Sequence, residues 1–244
     1  MVFKFLTIAL TAISLLANSD NKLSPKQRQE VQQLITETLN KDPEIIIKAI
    51  KNYQKNKYQQ YKKTAEDKIK KRAYEIFNYN NKLILGNPKA KITIIEFMDY
   101  NCGHCRALSK TLKEVYQNNK NVKVVVKDLP ILGKNSLIAA KAAYAAYKQD
   151  KYKEFHYATM SSNKPTSYET INKTAIEIGL DMSKFQADID STETEDYIIQ
   201  SMNQAKDVNI AATPAMIIGT ETNNTFIAGA MPKEEINKIL STYK

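Results

Sequence analysis

The sequence predicts an α/β fold: a sheet built around a parallel β-α-β unit, with an inserted helical lobe and a helical N-terminal extension. Two apolar runs, 92–98 and 122–126, flank a stretch carrying Leu108, Leu112, Val115 and Tyr116 at helical spacing. Strands joined across one helix pair most economically in parallel. Residues 132–208 then hold helical segments in succession, and the short apolar runs 215–218 and 225–228 face each other across a polar turn at Asn223 and Asn224.

The first residues predict a leader. Lys4 gives one positive charge, residues 5–17 are apolar except for Thr7, Thr11 and Ser14, and Ala17 and Ser19 place small residues two apart. This is secretory-signal architecture, with cleavage expected after about Ser19. A retained anchor is the lesser reading, because the run falls short of the roughly 20 residues that cross a bilayer. The first cysteine is Cys102, so a lipid-modified start is not expected.

Residues 20–82 form the expected extension. No glycine occurs from 24 to 79, and Pro43 after Asp42 suits a helix start, giving one helix with Val31, Leu34, Ile35 and Leu39 and a second with Ile46, Ile47, Ile50 and Tyr53. Between 48 and 72 stand ten basic residues against Glu66 and Asp67. Such a stretch is expected to bury little and to serve as a solvated connector, with self-association through 24–79 as the next reading.

Residues 83–244 make the main domain. Its lobe, at about 132–208, takes helices around 139–146, 152–160, 168–178 and 193–208, with Gly179 stopping the third. Pro232 starts a last helix.

The 244 residues carry a formal charge of +10, but lysine is spread along the whole chain rather than focused in one patch. With export, this argues against nucleic acid as a partner. Only two cysteines are present, three residues apart, and a bridge closing so short a loop restrains little unfolded-chain entropy. Outside the cytoplasm that spacing points to redox chemistry rather than to a staple.

Cys102-Gly103-His104-Cys105 sits just after a strand and at the start of a helix. There the helix N-terminus favours the thiolate of the first cysteine, making Cys102 the nucleophile and Cys105 the resolving thiol. His104 adds a positive charge or a hydrogen bond to that thiolate, which favours the reduced form. Glu96 interrupts an apolar strand six positions earlier and is expected to be a buried general acid/base for Cys105; the other reading is a surface glutamate at a strand end. Thr213-Pro214 precedes a strand, where proline costs no ladder bond. Zinc needs four ligands, and Cys102, Cys105, His104 and His156 supply them only awkwardly, so no metal and no cofactor are expected. His156, near Tyr152 and Phe155, reads as a packed or surface histidine. The alternative from another class is a non-catalytic envelope metal-binding or scaffold protein that uses the cysteine pair for a soft metal.

Glu96-Phe97, the Cys-Gly-His-Cys run, the helical insertion and Thr213-Pro214-Ala215 together resemble the DsbA-type proteins of bacterial periplasms, over about residues 83–244. The resemblance implies a thioredoxin-like fold and a thiol-disulfide oxidoreductase. Its clients would be cysteine-containing proteins, and a redox partner not identifiable from the sequence would recharge it. It further implies a cis peptide at Pro214, with Thr213-Pro214 receiving substrate peptide. Gly-His in place of the usual Pro-His, and Thr before the cis-proline, are similar to disulfide isomerases. The helical extension looks like that of ScsC proteins, in which such a segment drives trimer formation and isomerase activity.

Overall fold

The computed structural model describes residues 23–78, 82–162 and 164–243, and the chain divides into two units, Met1–Lys57 and Tyr58–Lys244. The expected leader, 1–19, lies outside the described residues.

The first unit contains α1 (Pro25–Lys41) and the beginning of α2 (Glu44–Asn78). Ser24 caps α1: its Oγ accepts from the Gln27 N–H at 3.3 Å, and the Gln27 side chain accepts from the Ser24 N–H at 2.9 Å. This reciprocal pair satisfies two otherwise orphaned donors, and Pro25 occupies the first turn, where no N–H is needed. No residue of α1 is buried; Leu34 is 63% exposed, and Val31, Ile35, Ile46, Ile47 and Ile50 are exposed too.

The second unit is built on a five-stranded sheet. Its strands are β1 (Ile84–Gly86), β2 (Ile92–Met98), β3 (Val122–Asp128), β4 (Ala215–Gly219) and β5 (Asn224–Ala228), in the spatial order β1-β3-β2-β4-β5. Only β2 and β3 run parallel, joined through α3 (Gly103–Asn118); β1, β4 and β5 pair antiparallel with their neighbours. Every residue of β2 is buried because both faces of the sheet are covered.

The two faces follow from the two-residue period of a strand. Ile92, Ile94 and Met98 join Val122, Val124, Val126, Met216 and Ile218 in a core shared with Leu108, Leu112 and Val115 of α3. This core extends into the lobe made of α4 (Lys134–Tyr147), α5 (Tyr152–Ser161), α6 (Tyr168–Glu177), α7 (Met182–Ile189) and α8 (Thr192–Asp207). On the other face Ile95, Phe97, Val125, Ala215, Ile217 and Phe226 meet Ala65, Ile69 and Ile76 of α2 and Ala205 of α8. The last helix, α9 (Lys233–Leu240), returns Ile236 and Leu240 to the first core.

Two differences from the sequence expectation stand out. The basic stretch of α2 is more than a solvated connector: Ala65, Ile69, Ala73 and Ile76 recur at i, i+4, i+8 and i+11, and all are buried. The lysines between them project outward and mask the stripe in any count of charge. The division between units also falls at 57/58, inside the expected extension 20–82, because these residues cover the sheet. The second difference is α7, which the sequence reading passed over; Asp181 caps it by accepting from the Lys184 N–H at 3.1 Å.

Candidate active site

The site forms where β2 hands over to α3. Asp99 shapes this turn: its Oδ1 accepts from the Asn101 N–H at 2.8 Å, its carbonyl accepts from the Cys102 N–H at 3.0 Å, and its Oδ2 accepts from the Leu132 N–H at 3.0 Å. One buried side chain thereby ties the cysteine turn to the loop after β3. Cys102 is the N-cap residue of α3 (φ −79°, ψ 118°) but provides no side-chain cap, so its sulfur is left for other partners.

Both cysteines are free thiols, and their surroundings differ. Cys102 retains 7% exposure at the rim, and its Sγ–H donates to the Thr213 carbonyl at 3.4 Å. The Thr213-Pro214 bond is cis, and the Pro214 carbonyl accepts from the Gly229 N–H at 2.9 Å, which anchors this segment to the end of β5. Cys105, one turn into α3, is fully buried. A Cβ built on Gly103 meets nothing within 4 Å, so the space beside this residue is open.

Glu96 occupies the centre of β2, opposite Val126 of β3 and Met216 of β4, on the face shared by the cysteine pair. It is 1% exposed, and its Oε1 has no hydrogen-bond partner among the described residues. Burial, with the Asp128 carboxylate second, raises it from the ordinary 4.5 to about 8, so that it holds its proton at neutral pH. Burial also pushes the Cys105 thiol up, with the charge of Glu96 the next cause. The alternative of a surface glutamate is therefore set aside by its burial. His104 is exposed on the first turn of α3, and its side chain makes no hydrogen bond among the described residues.

Asp128 was missed by the sequence reading. It ends β3 opposite Met98, is buried, and has neither carboxylate oxygen hydrogen-bonded among the described residues. Burial, then Asp99, holds it well above the usual carboxylate range. The alternation of Val122, Val124 and Val126, carried one step further, puts it on the face of Glu96. Lys127, on the opposite face, is also buried, and burial lowers its ammonium to about 7. His156 is the packed histidine of the two readings: its Nε2 lies 3.1 Å from Ser109 Oγ and its Nδ1 3.3 Å from Tyr100 Oη, and burial lowers it to about 3. Among the described residues no three His, Cys, Asp or Glu side chains are grouped so as to hold a metal ion.

A family model described as Thioredoxin matches residues 78–241. The chain belongs to the thioredoxin family. Within it, the chain is 31% identical to the thiol-disulfide exchange protein alpha-DsbA2 of Wolbachia pipientis, covering 74% of this chain and 96% of that one with a TM-score of 0.67. It is 25% identical over 168 residues to the probable disulfide bond formation protein D of Bacillus cereus, which is 64% of this chain and 78% of that protein. Proteus mirabilis ScsC in a transitional conformation shares the fold, at 23% identity over 90% of this chain and 98% of that one, with a TM-score of 0.66. This thioredoxin-family chain is a thiol-disulfide oxidoreductase of the DsbA kind.

Proposed function

We propose that this oxidoreductase is an exported enzyme that exchanges disulfides with cysteine-containing client proteins through Cys102 and Cys105. The observation that carries the reading is the contrast between the sulfurs: Cys102 at the rim beside cis-Pro214, Cys105 buried on the side of Glu96.

In the oxidising direction a client thiolate attacks Cys102 Sγ of the enzyme disulfide. The Cys102–Cys105 bond breaks, and Cys105 leaves with the electron pair and takes the proton that Glu96 holds. A second client thiolate then attacks the client sulfur of the mixed disulfide, which releases Cys102 as a thiolate. In the reducing direction Cys102 attacks a client disulfide and one client thiolate leaves; the ionised form of Glu96 then takes the proton of Cys105 as Cys105 attacks Cys102, and the second client sulfur leaves as a thiolate. Thr213 and Pro214 receive the client backbone beside Cys102, and His104 favours the reduced form through its charge. No bound cofactor is required. The redox partner decides whether oxidation or isomerisation dominates.

Export rests on the apolar run 5–17 followed by Ala17 and Ser19; N-terminal sequencing of the mature protein should begin at about Asp20. Self-association through 24–79 draws support from the exposed Val31, Leu34, Ile35, Ile46, Ile47 and Ile50 of the first unit.

The test pairs insulin reduction with recovery of scrambled ribonuclease. Both activities should vanish in Cys102→Ala. A chain beginning at Tyr58 should keep insulin reduction and lose part of the isomerisation. Cutting at 82 would instead strip Ala65, Ile69 and Ile76 from the sheet and unfold the enzyme. Undiminished activity in Cys102→Ala would refute the assignment.

A further inference from the structure

A cleft of about 640 Å³ opens beside the cysteine turn, with Asn101, Arg106, Leu132, Lys134, Lys164 and Pro165 in its lining. Its size falls in the range of about 300–1,000 Å³ typical of sites that bury a small ligand or a short stretch of peptide. Asn101 precedes the nucleophile, and the Arg106 N–H donates to the Cys102 carbonyl at 3.1 Å, so the cleft shares a wall with the active site.

Among the described residues, three cations and no carboxylate line it. Lys134 and Lys164 are exposed and form no ion pair among the described residues, and the guanidinium of Arg106 donates to the Ser162 carbonyl. Asp99 lies beneath, buried, with both oxygens committed to backbone N–H groups of Asn101 and Leu132. The carboxamide of Asn101 is likewise committed: its Oδ1 accepts from the Thr166 N–H at 2.9 Å and its Nδ2 donates to Ser136 Oγ at 3.1 Å. The wall is thus held from both sides without using the lysines. A second feature of the same sign comes from α4, which starts in the cleft: its N-cap is Gly133, which has no side chain to cap the first-turn N–H groups of Lys134 and Asn135. Leu132 and Pro165 add an apolar surface that a small inorganic anion would leave uncovered, and Leu132 is 54% exposed.

Resting on the functional reading above, we propose that this cleft is a specificity subsite for an acidic client segment, taking an Asp or Glu close in sequence to the client cysteine that reacts with Cys102. The carboxylate meets Lys134, Lys164 and the open start of α4, while the aliphatic part of the segment lies on Leu132 and Pro165. Clients with acidic residues flanking the cysteine are captured faster, and the chemistry at sulfur is unchanged.

The experiment uses the full chain in its disulfide form and three dithiol peptides that differ only in flanking residues: glutamate, glutamine or lysine. Stopped flow gives the second-order rate constant for each peptide and for dithiothreitol. Lys134→Gln with Lys164→Gln should slow the glutamate peptide about fivefold, an effect that shrinks as salt is raised, and leave the glutamine peptide and dithiothreitol within about twofold. Lys91→Gln with Lys120→Gln removes the same charge from the opposite end of β2, about 20 Å away, and should change none of the four rates selectively. An unchanged glutamate rate in the cleft variant, or an equal loss for all three peptides, overturns the subsite and leaves the cysteine chemistry standing. Failure of the unsubstituted enzyme to oxidise dithiothreitol overturns the functional reading itself, and the subsite with it.

Discussion

The rim and the floor of the active site are one helical turn apart and built from opposite materials. At the rim, Cys102 meets a backbone carbonyl, open space beside Gly103 and a basic cleft at its side. At the floor, Cys105 is enclosed by apolar side chains on the sheet face where Glu96 and Asp128 keep carboxyl oxygens unpartnered among the described residues. Buried oxygens without partners cost free energy if charged, so the floor stores protons. On the proposed function, attack by a client takes place at the rim and proton transfer at the buried floor.

The largest expected effect breaks this division at the rim: Cys102→Ala should lower insulin reduction by at least about a thousandfold, in line with loss of a covalent nucleophile. At the floor, Glu96→Gln should slow the step in which Cys105 leaves or attacks by about a hundredfold at pH 7, the usual scale of general acid/base catalysis. Single-turnover kinetics should find the first attack on Cys102 little altered.

The same substitution has a signature in stability. The folded-state value of Glu96 is raised from 4.5 to about 8, so between these limits the native chain binds more protons than the unfolded one and loses stability as pH rises. The advantage of Glu96→Gln over the parent should grow by up to about 1.4 kcal/mol per pH unit across that window. Urea titrations at pH 5, 6 and 7 measure it, and a constant difference would show that Glu96 is ionised in the folded protein.

Smaller changes sharpen the contrast. His104→Ala should lower the reduction potential by about 30 mV, a tenfold shift in the exchange equilibrium, when equilibrated against glutathione. An unchanged or higher potential removes His104 from the rim's electrostatics. Asp128→Asn, which removes the neighbouring carboxyl group that adds to the upward shift of Glu96, should move the pH midpoint of the Cys105 step toward acid by about one unit. A midpoint that stays in place would leave Asp128 with a purely structural role.

Local patterns in the sequence carried most of this arrangement. A strand ending at Met98 followed at once by Cys102 and a helix already puts one sulfur at a helix start and the other one turn inside, and the interruption of an apolar strand by Glu96 exposes a buried acid. Features that depend on what packs from elsewhere were harder to read. The stripe Ala65, Ile69, Ala73 and Ile76 is diluted by neighbouring lysines, and its burial requires a sheet some 20 to 150 residues further along the chain. Helix α7 is eight residues long, too short for its period to stand out, and only its Asp181 cap announces it. Asp128 looks like a charged strand end until the Val122–Val124–Val126 alternation is followed past the last valine. The cleft is assembled from Asn101, Lys134 and Lys164, which come together only through the fold.

The most direct test is to trap the covalent intermediate. With Cys105→Ala, the enzyme given a disulfide-bonded client peptide should accumulate a mixed disulfide as the peptide's other sulfur leaves as a thiolate, and mass spectrometry of the digested adduct should place the peptide on Cys102. With Cys102→Ala, no adduct should form, because Cys105 is fully buried. An adduct on Cys105 at a comparable rate would contradict the separation of rim from floor on which the account depends.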